Sequence, residues 1–419
     1  NFMNGEKRKI LVPIFNRAHY GRLRQVLKSI KEHPKLELQI IVAVSAAYDY
    51  FFTNLRNSRP HSWFLSLPWY LRARAISFFG GKDKILKNDF LAQKLIADGF
   101  EISGYIPMFL DGGISDTMAK SVGLGIPRIV EEMKKLKPDA VFVNADRFEM
   151  MAVALSASYM NIPIAHNEGG DISGTIDESI RHAITKLSHI HFTSTEQSRN
   201  RVIQMGENPE RVFAVGSPAI DAIKNLDLLI DKNIFPNLDV SKPFLLTLLH
   251  PVTTSSAEEN SLMVNNLISA LKDLKIQTVL LGSNIDAGSD EVGKAIRNWI
   301  QNENPYYVFF TKHLHPDDFY RYLSASSCAV GNSSSFIREG AYFGTPVVLI
   351  GSRQNKRERS DNILESDGNC ENIKSAVAKQ FQTGRFQKSF LFGDGNASGK
   401  MAEVLSSINL EVQKSFKDL

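Results

Sequence analysis

Cysteine is nearly absent: Cys328 and Cys370 are the only two in 419 residues, far apart and without metal-binding spacing. That excludes a disulfide scaffold and a cysteine-type zinc site, and it suits a reducing compartment. No run of about 20 uninterrupted apolar residues occurs. The N-terminal residues lead straight into a strand-like run with no secretory core, so a cytoplasmic protein without membrane contact is expected. An excess of one charge is missing too. With 49 basic against 45 acidic residues the net is +4, too small to indicate a nucleic-acid partner. Neither Gly-x-Gly-x-x-Gly nor a Walker A sequence is present, so nicotinamide chemistry and P-loop phosphate binding lack their usual signals. No repeat with a period of roughly 20–50 residues points to a solenoid or propeller.

What remains is a globular composition, 43% hydrophobic and 22% charged, on a chain long enough for two domains of roughly 200 residues each. Short β-rich runs alternate with amphipathic stretches, the pattern of parallel sheets with crossover helices. In the first half, strands are predicted at Lys9–Phe15, Leu38–Val44, Ala140–Asn144, Ile162–His166, His189–Thr193 and Val212–Val215. In the second half they fall at Phe244–Leu249, Thr278–Leu281, Tyr307–Phe310, Cys328–Val330 and Pro346–Ile350. The clearest helix is Arg147–Met160, where Phe148, Met151, Ala152, Leu155 and Tyr159 recur at three- and four-residue steps and read as one buried face. Others are expected near Glu258–Leu271, Glu291–Trp299 and Ser334–Tyr342.

The stretch 225–242 mixes Asp, Asn, Pro and Lys as a connector does. It sets a first domain at 1–225, a second at 226–398, and a terminal segment at 399–419 whose helix, Lys400–Phe416, packs back on the first domain. Within the first domain, 57–84 stands apart: Trp63, Phe64, Trp69, Tyr70, Phe78 and Phe79 surround Arg72 and Arg74. A membrane-surface or partner-binding helix is one reading; because Pro68 interrupts the pattern, a helical insertion packing on its own domain or a sister subunit is preferred.

Ionisable groups gather at predicted strand ends. Asp146 and Arg147 follow Ala-Val-Phe-Val-Asn144, and in isolation Asp146 would serve equally well as a helix N-cap. The next strand runs into His166-Asn-Glu168-Gly-Gly170, where two glycines let the backbone turn tightly and approach a ligand. Glu178 follows on the next helix, with Arg181 at salt-bridge spacing. Asp146, Glu168 and Glu178 thus place three carboxyl groups at neighbouring strand ends, and clustered carboxylates shift one another's titration in the way acid–base chemistry requires. A metal cage would draw its ligands from one compact loop, which is absent, so no metal is expected. His182, His189 and His191 do not match His-Glu-x-x-His and read as structural or supporting groups. In the second half, His250-Pro251 ends a strand. Gly331-Asn-Ser333-Ser334-Ser335 leads from a strand into a helix, where backbone N–H groups, hydroxyls and the helix dipole suit a diphosphate. The basic run Arg353 to Arg359 reads as a solvated loop.

Taken together, Asn144-Ala-Asp-Arg147, Ile164-Ala-His-Asn-Glu-Gly-Gly170, Ile176-Asp-Glu-Ser-Ile-Arg-His-Ala-Ile-Thr-Lys186, Gly331-Asn-Ser-Ser-Ser335 and Gly351-Ser-Arg-Gln354 resemble the hydrolysing UDP-N-acetylglucosamine 2-epimerases, over nearly the whole chain outside 57–84. The resemblance implies an α/β, GT-B-like pair of Rossmann-type domains around a central cleft. It also implies a homodimer or homotetramer, a UDP-sugar substrate and no cofactor. The implied reaction converts UDP-N-acetylglucosamine and water to N-acetylmannosamine and UDP through a glycal-like intermediate, for sialic-acid-type sugars. It assigns Asp146, Glu168 and Glu178 to acid–base work, with His250 and Arg17 at the departing diphosphate. Arg147, His166, His182, Ser333, Ser334 and Arg353 are assigned to substrate binding, and Glu339 to the ribose hydroxyls. One departure stands out: Asn16-Arg17-Ala-His19 replaces a glycine-bearing turn and puts His19 where the family has an acidic residue. A UDP-2,4-diacetamido-6-deoxy sugar is therefore an alternative substrate. A GT-B glycosyltransferase would share the UDP site without needing three carboxylates, and a noncatalytic nucleotide-sugar sensor would need none of them.

Overall fold

The computed structural model describes residues 7–45, 89–110, 115–173, 176–252, 255–282, 289–312 and 314–418. The Trp-rich segment 57–84 lies outside them. Seven strands of the first half are β1 (Arg8–Ile14), β2 (Leu36–Ser45), β3 (Gly104–Phe109), β4 (Ala140–Asn144), β5 (Ile164–Asn167), β6 (Ile190–Thr193) and β7 (Val212–Ala214). Six follow: β8 (Phe244–Leu248), β9 (Gln277–Leu281), β10 (Val308–Thr311), β11 (Cys328–Gly331), β12 (Val347–Ile350) and β13 (Ile363–Ser366). The first set forms a sheet of order β3-β2-β1-β4-β5-β6-β7 and the second a sheet of order β10-β9-β8-β11-β12-β13. Pairing is parallel, with Ile10 opposite Ala140 in the first sheet and Leu248 opposite Gly331 in the second.

Both orders reverse direction once, between β1 and β4 and between β8 and β11. In open parallel sheets the carboxyl ends of the strands flanking such a reversal are where ligands bind. The sequence places Arg17 just beyond β1, Asp146 beyond β4, His250 beyond β8 and Ser333 beyond β11.

The connecting helices in the first half are α1 (Arg17–Glu32), α2 (Phe90–Ala97), α3 (Ser115–Leu136), α4 (Phe148–Tyr159), α5 (Asp177–Leu187), α6 (Glu196–Gln204) and α7 (Pro218–Lys224). Those in the second are α8 (Ala257–Leu274), α9 (Ser289–Glu303), α10 (Pro316–Ala325), α11 (Ser334–Phe343), α12 (Cys370–Thr383) and α13 (Ala397–Ser407). The second sheet shows why such strands read as unbroken apolar runs. Phe244, Leu246, Val279 and Ala329 bury one face against Ile223, Tyr322, Phe336 and Ile337. Leu245, Leu280, Val330 and Val348 bury the other against Val264, Leu271, Ile296 and Ile373. Burial on both faces removes the polar alternation of a one-sided sheet, and each such side chain contributes about 1.5–3 kcal/mol.

By packing, the chain divides into two compact units: Asn1–Asn167 with Leu187–Ile190 and Ala402–Ser415, and Glu168–Lys186 with His191–Met401 and Phe416–Leu419. Among the described residues no helix is long and apolar enough to cross a membrane.

Three expectations need correction. β3 and β13 are additional strands. The buried side of α4 is made by Glu149, Met150, Ala152, Val153, Ser156 and Ala157, whereas Tyr159 of the predicted stripe is 88% exposed. That helix is apolar nearly all round, so periodicity could not choose its inner face. The terminal helix ends at Ser407 rather than near Phe416. The guanidinium of Arg8 bonds the carbonyls of Leu405 and Ile408, taking up acceptors that a helix end otherwise leaves unsatisfied.

Candidate active site

In the first unit, the site residues lie on two strand ends that share one local design. β4 ends in Asn144 and is followed by Ala145 in the left-handed region at φ 59°. The Ala145 N–H donates to the Asn167 carbonyl at 2.9 Å, and the Asn167 amide donates to Asn144 Oδ1 at 2.7 Å. His166, fully buried, contacts the Ala145 carbonyl through Nε2 at 2.9 Å. These bonds hold the turn that presents Asp146. The N-cap position of α4 falls to Arg147, not to Asp146. Arg147 reaches forward with Nε 3.2 Å from both oxygens of the buried Glu149. Arg17 heads α1, whose start is capped by Asn16 accepting from the His19 N–H at 2.8 Å. His19 itself is buried.

In the second unit, Glu168 is again left-handed, at φ 63°. A non-glycine residue in this region costs of order 1–3 kcal/mol and persists only when its surroundings fix it. Its N–H donates to the Phe192 carbonyl at 2.9 Å. Its carboxylate, like the rest of the residue, is buried and meets Arg338 of α11, Nη1 to Oε1 2.7 Å. Burial works against the Arg338 charge, but the carboxylates of Glu168, Glu339 and Asp171 outweigh it and push the guanidinium above its ordinary value. Asp171 is in turn bonded by Ser198 at 2.9 Å and by Arg357 at 3.3 Å. An arginine thus stands among the carboxylates. Glu339 is fully buried beside it.

Gly170 sits at φ 78°, in keeping with the tight turn the sequence suggested, and a further constraint adds to it. A Cβ there would lie 2.1 Å from the Ser198 carbonyl oxygen, so the close approach is to the backbone of α6. Glu178 lies in the first turn of α5 and accepts from the Ser173 N–H at 2.5 Å. Its other oxygen is 4.0 Å from His182 Nε2. Burial, then the adjacent Arg181 charge, lower the His182 imidazole below its ordinary value, and Glu178 opposes them only in part. Arg181 is buried and donates to the Asp171 carbonyl at 2.6 Å. The structural reading of the remaining histidines holds. His191 meets the buried Glu207 at 3.1 Å, and His189 accepts from the Ile164 N–H at 3.2 Å.

The β8–β11 reversal carries a second cluster. The buried Asn332 accepts from the His250 N–H at 2.7 Å and donates to the His250 carbonyl at 2.8 Å. This two-bond clamp sets the backbone of His250. The Asn332 carbonyl accepts from Arg353 at 3.3 Å and Gln354 at 3.1 Å. Ser333 is the N-cap of α11, its hydroxyl accepting from the Ser335 N–H at 3.3 Å. Ser334 opens the helix. The run from Arg353 is therefore more than a solvated loop: Arg357 is paired and largely buried, and Arg353 ties back to the strand end.

Sequence reasoning missed Arg338, Asn332 and Asp171. A signal for the first was present: Arg338-Glu339 sits between Phe336-Ile337 and Ala341-Tyr342, and a charged pair inside an otherwise apolar helix is buried only for a reason. Asn332 and Asp171 left no such trace. Among the described residues one trio of side chains has metal-ligand spacing, Asp273, Cys370 and Glu371. It contains no residue of the site, and Lys374 bridges its two carboxylates at 2.8 and 2.7 Å.

Comparisons with known proteins identify the family and the fold. The family profile described as UDP-N-acetylglucosamine 2-epimerase matches residues 86–406. The chain belongs to that family. It is 32% identical over 409 residues to a hydrolysing UDP-N,N'-diacetylbacillosamine 2-epimerase of Legionella pneumophila, covering 97% of each chain. To a UDP-N-acetylglucosamine 2-epimerase of Neisseria meningitidis it is 27% identical over 433 residues, covering 98% of this chain and 99% of the other. The crystal structure of UDP-GlcNAc 2-epimerase from Neisseria meningitidis bound to UDP-GlcNAc superposes with a TM-score of 0.73 at 17% identity, over 95% of this chain and 99% of that one. The likeness establishes the GT-B-like fold. In this member of the 2-epimerase family Asp146 and Glu168 follow strand ends of one sheet, and Asn332, Ser333 and Arg353 follow those of the other.

Proposed function

We propose that the protein is a hydrolysing 2-epimerase of a UDP-2,4-diacetamido-6-deoxy sugar of the UDP-N,N'-diacetylbacillosamine type. The observation that carries this substrate is the 32% identity with the Legionella enzyme along 97% of both chains, against 27% with the UDP-N-acetylglucosamine enzyme. In this reading a carboxylate among Asp146, Glu168 and Glu178 takes the proton from sugar carbon 2 as the bond from carbon 1 to the diphosphate breaks. The electron pair leaves with UDP, and a glycal-like intermediate remains. Water then adds its hydroxyl to carbon 1 while a second acid returns a proton to carbon 2 from the opposite face. The net reaction is UDP-sugar plus water to the free 2-epimer plus UDP. Proton transfer by positioned carboxyls of this kind contributes about 10²–10⁴-fold.

Departing UDP takes its stabilisation from Arg17, His250, Arg353 and the Ser333–Ser334 helix start, with Glu339 for the ribose hydroxyls. Donors already in place where charge develops form the largest electrostatic contribution to such a step. Arg147, His166 and His182 serve the sugar side. A His182 held neutral by burial and Arg181 offers both a donor and an acceptor nitrogen to acetamido groups.

The test is incubation with UDP-N,N'-diacetylbacillosamine and, separately, with UDP-N-acetylglucosamine in deuterated water, followed by proton NMR. The expected result is UDP release with carbon-2-deuterated free sugar, at a kcat/KM at least about tenfold higher for the diacetamido substrate. Preference for UDP-N-acetylglucosamine would overturn the substrate. Bound UDP without turnover of either would favour a glycosyltransferase or sensor.

A further inference from the structure

We infer that Arg338 is the positioning residue of Glu168, fixing the direction of its carboxylate from one turn into α11, the helix that Ser334 opens. The inference rests on the reading of Glu168 as an acid–base group given above. The guanidinium is 1% exposed and its Nη1 lies 2.7 Å from Glu168 Oε1. Its Nη2 lies 3.5 Å from the hydroxyl of Ser334, one turn earlier on the helix. The backbone of Glu168 is pinned separately, by its left-handed conformation and the bond to Phe192. What is left to set is the side chain, and Arg338 reaches it.

A purely structural role explains this poorly. Burying an ion pair seldom stabilises a protein more than a packed apolar pair of the same volume, because both charges lose their hydration. Here the pair is buried together with Glu339, Asp171 and the Asp171 partner Arg357. Three carboxylates around two guanidiniums make a costly arrangement for stability alone. Its product is a buried acidic group held at a fixed angle, where an error of about 1 Å costs about 100-fold in rate. Arginine suits the task because its planar fork fixes an orientation, whereas lysine supplies only a point charge.

The experiment compares Arg338→Gln, Arg338→Lys, Glu168→Gln and the double variant Glu168→Gln with Arg338→Met. Each is followed by steady-state kinetics, carbon-2 exchange, UDP binding and thermal melting. Arg338→Gln is expected to lower kcat about 100-fold while KM and UDP affinity stay within about threefold. Arg338→Lys should recover about tenfold of that loss. In Arg338→Gln the limb of the kcat–pH profile that reports Glu168 should move to higher pH, because the carboxylate has lost its counter-charge. Destabilisation alone would not move that limb. The double variant should melt above Arg338→Gln, since position 168 then carries no charge that has lost its partner. If Arg338→Gln does not fold, Arg338→Lys decides: a folded Lys variant with full kcat and an unmoved pH profile overturns the inference. Turnover retained in Glu168→Gln would sink the acid–base reading itself. An inactive Glu168→Gln beside fully active Arg338 variants would sink only the role of Arg338.

Discussion

The two sheets have the same strand order around their reversals, yet they spend their strand ends differently. In the first, Ala145 and Glu168 are side-chain-bearing residues in left-handed backbone, and carboxylates follow from them. In the second, the equivalent turn is made by glycine. Gly331 sits at φ 147°, so close to β8 that a Cβ would lie 2.0 Å from the Leu248 carbonyl oxygen. What leaves that turn is a clamped asparagine and a helix start. Strain is tolerated where a side chain must be aimed and relieved with glycine where only backbone must pass. In the proposed reaction, that contrast would divide proton transfer from anion binding.

The contrast can be broken most severely by neutralising the acids. Glu168→Gln and Glu178→Gln should each lower turnover about 1000-fold or more, with UDP affinity within about threefold, measured by product NMR and calorimetry. Normal turnover in both would end the division of labour. Next in size, Gly331→Ala should cost about 3 kcal/mol or more in urea unfolding, from the clash with Leu248 and the unsuitable φ. The opposite change in the first sheet, Ala145→Gly, should stabilise or leave stability level, with a gain of up to about 1 kcal/mol as left-handed strain is relieved. A loss there would mean that the turn is not strained.

The smallest effect comes from a carboxylate away from any strand end. Burial would raise the Asp98 carboxyl, but hydrogen bonds from Tyr20 and Lys94 and the charge of Arg24 overcome it and hold it below its ordinary value. A depressed acid contributes stability above its unfolded pKa and loses it as pH falls through the folded value. Asp98→Asn should therefore cost on the order of 0.5 kcal/mol near neutral pH, and the difference from wild type should vanish toward acid. Chemical denaturation at two pH values checks this.

Much of the fold was legible because buried parallel strands are short, apolar and separated by helical stretches. The two strands that were not legible, β3 and β13, both lie at sheet edges. An edge strand needs fewer apolar residues and can accommodate proline, as Pro107 does in Gly104-Tyr-Ile-Pro107; Ile363-Leu-Glu-Ser366 has only two apolar residues. At the site, carboxylates and serines announced themselves by residue type. Their supports did not, because Asn332 acts through the backbone of a residue 82 positions away and Asp171 through Arg357, 186 positions away. Pattern within a local window carries no record of such pairings.

The contact between Arg8 and the end of α13 spans 397 residues to Leu405 and 400 to Ile408. During synthesis, the first strand emerges from the ribosome long before the helix that covers its buried arginine. The first unit therefore waits, incomplete, while most of the second is being made. Sequence-distant closures of this kind slow folding, and they leave early-made surface exposed to chaperones and to neighbouring chains in the interval. Helix α13 acts as a clasp that the polypeptide can fasten only once residues 405–408 have been made.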